Sequence, residues 1–137
     1  MSCPDRRRGS RKGSSLVESS IVAVVFLLLV VAITEFGRLG FAYNSLSFAA
    51  QRAARFAAVR GSSSGHAATA SDIQNKAAGY IVALDSSKLT VTPSWIPDNK
   101  PGSTVQVTVA YTYQPFLLPV SASGLTLQTT AKQTIIQ

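Results

Sequence analysis

At 137 residues the chain has room for one small domain beside an apolar helix, and too little for several independent cores. Its net charge of +7 is concentrated at the front: Arg6, Arg7, Arg8, Arg11 and Lys12 against Asp5 give +4 within the first thirteen residues, so the basic balance marks a terminal tag and argues against a nucleic-acid-binding face. The single cysteine, Cys3, excludes an intramolecular disulfide.

Residues 1–12 are polar and basic, and disorder is expected there. Positive charge flanking an apolar segment stays on the cytoplasmic side, which places the N-terminus inside and the C-terminus outside. Sixteen uncharged residues, Ser19 to Thr34, separate Glu18 from Glu35. As a helix they span roughly 24 Å, short of a hydrocarbon core of about 30 Å. Adding Leu16 and Val17 closes most of that gap and gives a membrane part of about 16–34, but it draws Glu18 into the lipid boundary. An ordinary secretory signal would carry a small-x-small cleavage site after the apolar run. Here the run is followed by Thr34-Glu35-Phe36-Gly37-Arg38, and the helical pattern continues without a break. Release of a soluble domain by cleavage near 34–40 is therefore the weaker reading.

From 35 to 60 the helix turns amphipathic. Phe36, Leu39, Tyr43, Leu46, Ala50, Ala53 and Ala57 recur at alternating steps of three and four, an apolar seam of coiled-coil type. Arg38, Ser45, Arg52 and Arg55 lie off it. Glu35 and Arg38 stand three apart, a spacing that lets them pair near the outer membrane boundary. The run Gly61-Ser62-Ser63-Ser64-Gly65 then stops the helix and is read as a flexible joint. The lone His66 beside it is read as solvated.

The remaining segment, 61–137, predicts a small α+β domain. Ser71-x-x-Gln74 has the form of a capping box opening a short helix, with Ile73, Ala77, Tyr80, Ile81 and Leu84 on one face. Three strands follow: Lys88 to Thr92, Thr104 to Tyr113 with clean alternation of Val105, Val107, Val109, Tyr111 and Tyr113, and a threonine-rich run from Leu125 to Ile136. Pro97 to Gly102 reads as the first turn and Pro115 to Gly124 as a longer connection. The fold class is α+β: a long N-terminal helix, then one short helix on a three-stranded antiparallel meander. A core of 77 residues supplies little net stability alone, so the domain is expected to lean on the upper long helix or on a neighbouring subunit.

No catalytic constellation is visible. Glu18, Glu35, Asp72, Asp85 and Asp98 are scattered, and metal-ligand spacing, a nucleophile elbow and a phosphate loop are all missing from the sequence. The expectation is a non-enzyme with no cofactor and no metal. Tyr111, Tyr113 and Phe116, with Trp95, are better read as the core face of a small sheet than as a ligand stripe.

Glu18 resists a bland account. A carboxylate at mid-bilayer costs about 2.5–3.5 kcal/mol even on the gentler scales, and less near the interface. It could snorkel from the first turn, where the helix dipole favours negative charge. Alternatively, cleavage after Gly13 would create an ammonium at Ser14, one turn from Glu18. In a bundle the amine of one subunit would neutralise the carboxylate of the next.

Gly13-Ser14-Ser15-Leu16-Val17-Glu18 before an apolar run resembles a class III (type IV) prepilin cleavage site. Farther on, Glu35-Phe36-Gly37-Arg38, Tyr43-Asn44-Ser45-Leu46 and Ala49 to Ala58 resemble the TadE-like (TadE/TadF) pilin-related proteins of tight-adherence (Flp) pili. Where that family often has an aromatic after the glutamate, Ser19 stands here. The resemblance implies a basic leader (1–13), a helix (14–60) and an extracytoplasmic domain. It also implies processing at Gly13, Ser14 and Glu18 by a prepilin peptidase. As partners it implies other pilin subunits through the N-terminal helix, an inner-membrane assembly platform and membrane lipid, with no nucleic acid. The role it implies is that of a minor pilin or pseudopilin. The alternative is an uncleaved single-pass protein with an outer binding domain.

Overall fold

The computed structural model describes residues 9–116 and 124–136. Helix α1 spans Gly9–Val59, α2 Ala70–Gly79, and strands β1 Leu89–Ile96, β2 Thr104–Tyr113 and β3 Leu125–Thr134 follow, with a single 3-10 turn at Ser86–Lys88. The fold is α+β as the sequence predicts. The chain divides into two compact units between Phe36 and Gly37.

In the first unit the backbone from Gly9 onward is already helical. Disorder through residue 12 is thus corrected for 9–12. Arg and Lys are good helix formers, and no proline after Pro4 stops the helix from extending backward. Residues 1–8 of the leader lie outside the described residues. Of the large apolar side chains between Leu16 and Ile33, all but the half-buried Val31 are exposed, so none in this stretch is buried among the described residues. Two hydroxyls of this half of α1 bond within the helix. Ser20 Oγ donates to the Leu16 carbonyl at 2.7 Å and Thr34 Oγ1 to that of Val30 at 2.9 Å, each one turn back.

The second unit is a layer of helix on a sheet of order β1-β2-β3, antiparallel throughout. β2 is central, and its alternation converts directly into burial: Val105, Val107, Val109, Tyr111 and Tyr113 face the core, while Thr104, Gln106, Thr108, Ala110 and Thr112 are half-exposed. On that outer face Thr108 and Thr130 place their hydroxyls 3.1 Å apart across the β2–β3 pair.

The partner of the helical seam is the protein's own sheet. Ala42, Leu46, Ala50, Ala53, Ala54, Ala57 and Ala58 join Ile73, Ala77 and the β2 valines in one core, with Leu39 and Phe56 packed at its margin. The domain therefore leans on the upper long helix, one of the two supports its size demanded. The buried face is wider than the predicted seam, because Ala49, Ala54 and Ala58 are also buried, whereas Phe36 and Tyr43 are exposed. A sheet presents a broad surface, so it covers a stripe of about 100° or more, not the two positions per heptad that a helix–helix contact uses.

Polar contacts set the arrangement. Along β3, Ser47 Oγ lies 3.3 Å from Thr129 Oγ1 and the Ile136 amide donates to the Ala58 carbonyl at 3.0 Å. On the other side, Gln74 Nε2 of α2 donates to the Val91 carbonyl of β1 at 3.1 Å. The Ser/Gly run after α1 is an ordered turn and not a loose joint. Ser62 donates to the Asn99 carbonyl at 2.9 Å, Ser64 Oγ to Gly61 at 2.8 Å, and Ala68 closes back onto Arg60 at 2.9 Å. Small residues allow this tight path, and the orphan carbonyls at the helix end require such donors.

Three local expectations are corrected. α2 is capped by Thr69, whose side chain accepts from the Asp72 amide while Asp72 accepts from the Thr69 amide. The capping box is thus Thr69–Asp72 and not Ser71–Gln74, because the helix begins at Ala70 and Ser71 already lies within it. The helix also ends at Gly79, so Ile81 and Leu84 pack against the core from the following loop. β1 runs past Thr92 through Pro93 to Ile96; it is an edge strand, where a residue without an N–H is tolerated. Most of the connection expected at Pro115 to Gly124 falls on 117–123, outside the described residues.

Candidate functional site

Gly13, Ser14 and Glu18 all lie on the exposed first half of α1. A Cβ placed on Gly13 would meet nothing within 4 Å, so nothing within the described structure requires glycine there. Ser14 and Glu18 are four residues apart on one helix face, a rise of about 6 Å. Glu18 lines a shallow surface groove with Ser15, Ser19, Val22, Ala23 and Phe26, a mixed polar and apolar strip at the start of the apolar run. An 18-residue window of α1 has a mean hydropathy of 2.8 and none of it is buried. Length, composition and exposure fit a single-pass membrane anchor.

Glu35 and Arg38 stand one turn apart on α1, on either side of the division between the two units. Arg38 additionally places its guanidinium 6.0 Å from the Tyr113 ring centroid. Of the aromatics weighed as a ligand stripe, Tyr111 and Tyr113 are buried and Trp95 packs at the core margin. Phe116 is exposed. His66 is exposed, as expected.

The carboxylates of the second unit are engaged locally. Asp72 is held below the ordinary carboxylate range by the Thr69 hydroxyl and backbone, with a smaller contribution from Arg60. Asp85 is lowered by the Ser87 hydroxyl and amide. Asp98 is lowered by the Ser103 hydroxyl and then the Lys100 amide, and it pairs with Lys100 Nζ at 3.4 Å. Cations on the helix layer instead sit on rings: Arg52 over Phe48 at 5.1 Å, and Arg60 and Lys76 over Phe56 at 4.7 and 5.6 Å. Sequence reading placed Arg52 and Arg55 off the seam but gave no sign that Lys132 would come beside them, because only the α1–β3 packing makes that meeting.

The described structure thus has the form that fits a membrane-anchored class: one long helix, apolar at the front, whose rear half packs in a small α+β unit. Within it, residues 13–55 match the family model described as TadE-like protein. That stretch includes Gly13, Ser14, Glu18, Glu35, Arg38 and most of the alanine seam, and the family is one of Tad pilus-associated proteins. No curated protein and no solved structure matches the chain.

Proposed function

We propose that this protein is a minor pilin or pseudopilin of a tight-adherence (Flp-type) pilus. In this reading residues 1–13 are a leader removed by a prepilin peptidase on the cytoplasmic side of the inner membrane. The chain inserts once, N-terminus in, and its α+β unit stands outside. After cleavage the Ser14 ammonium of one subunit meets the Glu18 carboxylate of a neighbour. This offsets the cost of burying either charge among apolar helices and fixes their axial register.

The observation that carries this reading is the contrast between the halves of α1. The rear half is satisfied by its own sheet, whereas the front half exposes nearly every apolar side chain with Glu18 among them. Such a segment requires lipid, then partner helices, and its sequence is TadE-like. A peptidase-labile Gly13 and an assembly platform follow from the same reading. Glu35 and Arg38 would pair at the membrane boundary.

The deciding experiment is intact mass and N-terminal sequencing of the protein from native membranes, with and without the processing peptidase. A chain starting at Ser14 only when the peptidase is present is the expected result. A chain retaining its leader in both cases would make it an uncleaved single-pass protein and overturn the processing step.

A further inference from the structure

Between α1 and β3 runs a groove of about 400 Å³ lined by Arg52 and Arg55 from the helix and Lys132 and Gln133 from the strand, with the small Ala54 and Ala131 between them. No carboxylate lines it. From Gly37 to Gln137 the sequence has eight Lys and Arg against three Asp, and those three are the carboxylates already engaged by Thr69, Ser87 and Ser103. Nothing in the unit's own described structure neutralises this groove. Arg52 is also held in place by the Phe48 ring, so less side-chain freedom is lost when it takes a ligand.

Strand β3 adds a second feature. It is ten residues long and stands at the edge of the sheet, paired only with β2 among the described residues. An edge of this length is a template for another strand, and natural edges are commonly blunted by a lysine. Lys132 does this against an apolar or basic segment. Against an acidic one it attracts instead.

We propose that this groove receives an extended acidic segment of a partner protein, laid along β3 with its carboxylates on Arg52, Arg55 and Lys132. The main chain of such a segment would pair with the open edge, a recognition mode in which backbone hydrogen bonds give affinity and side chains give choice. A phosphate-rich surface could answer the cations but not the row of backbone donors and acceptors. A second copy of this α+β unit is a poor occupant, because it brings an excess of positive charge and its three carboxylates are engaged by Thr69, Ser87 and Ser103. The inference extends the pilin reading by naming a chemistry for a neighbour, yet it does not depend on cleavage, since the uncleaved chain has the same groove.

The test uses the full chain in detergent micelles and a fluorescent ten-residue peptide of alternating glutamate and valine, read by anisotropy at low salt. The triple variant Arg52→Gln/Arg55→Gln/Lys132→Gln is expected to bind roughly tenfold more weakly, as loss of three exposed charge contacts implies. Lys88→Gln/Lys100→Gln, which removes two charges elsewhere, is expected to bind within about twofold of wild type on the same scale. A peptide with prolines in place of the valines is expected to lose most of its binding, because it cannot pair with an edge. The proposal is overturned by absent wild-type binding, by equal weakening in both variants, or by a proline peptide that binds as well as its parent. It is equally overturned if duplex DNA or phosphatidylglycerol vesicles bind through these three residues more tightly than the peptide.

Discussion

Replacing Leu46 by alanine tests whether the helical seam serves the protein's own sheet or waits for another helix. Leu46 is 0% exposed and is the largest fully buried side chain on α1. Its buried neighbours on the helix, Ala42, Ala49 and Ala50, carry only methyls fixed to the backbone and cannot swing into a vacated space. The site therefore collapses poorly, and the cost should lie in the upper part of the usual range for buried Leu→Ala, about 3–5 kcal/mol. Against a total of roughly 5–15 kcal/mol for a unit of this size, that is a large fraction. It corresponds to a fall in melting temperature on the order of 15 °C or more. Phe36→Ala is the matched control. Phe36 heads the same periodic seam but is 74% exposed, so the change should move stability by no more than about 0.5 kcal/mol. Near-ultraviolet circular dichroism in detergent reads Trp95, Tyr111 and Tyr113 on the sheet, free of the helical signal of the anchor. Equal melts for Leu46→Ala and Phe36→Ala would refute the intramolecular seam.

Gly124→Ala should destabilise by at least about 1–2 kcal/mol, seen as a lower denaturant midpoint, because its backbone is left-handed. At φ +72° an added Cβ would come within 2.8 Å of the Tyr113 carbonyl oxygen, and backbone cannot yield as a flexible side chain would. Acidification should weaken the fold through Asp98, whose folded pKa is depressed by Ser103. Its contribution is present above the ordinary carboxylate value of 3.8 and is lost as pH falls through the lower folded value. Melts from pH 7 to pH 2 should fall more steeply below about 4 in wild type than in Asp98→Asn, and parallel curves would contradict it. Glu18→Ala should leave membrane insertion intact and impair assembly, so unchanged piliation would count against charge pairing with Ser14. Gly13→Leu should block processing if, as the proposed reading holds, the peptidase needs a small residue before the cut; a Cβ at Gly13 meets nothing within 4 Å, so the described structure itself should tolerate the change. Mature protein from that variant would remove the cleavage assignment.

Some elements were legible because one local rule decided them. β2 was read to its true ends because a central strand with one face in the core imposes strict alternation. Where two rules competed, the sequence misled. Ser71-x-x-Gln74 has the form of a capping box, yet α2 begins at Ala70 and is capped by Thr69 with Asp72. Ser71 thus lies inside the helix, and the Gln74 amide is used on the Val91 carbonyl instead. The predicted first strand stops at Thr92, whereas β1 continues through Pro93, which an edge tolerates. The seam was legible as a period but not as to what covers it, since alanines at steps of three and four suit a sheet and a helix alike. Gly13, Ser14 and Glu18 were legible as a motif, and the described structure adds the exposure of the apolar segment around them. The basic groove was not legible, because Arg55 and Lys132 stand 77 positions apart and meet only through packing.

The tie between Ile136 and Ala58, with Ile135 bonded to Gly102 and Ser103, gives the fold a schedule. A growing chain produces the alanine seam some seventy residues before the strand that finishes its cover, an order read off residues 58 and 125–136. Until that last strand appears the seam lies open, and these contacts, far apart in sequence, cannot form early. Any surface that meets the nascent protein before β3 has emerged would therefore encounter an open helix face and not a covered one.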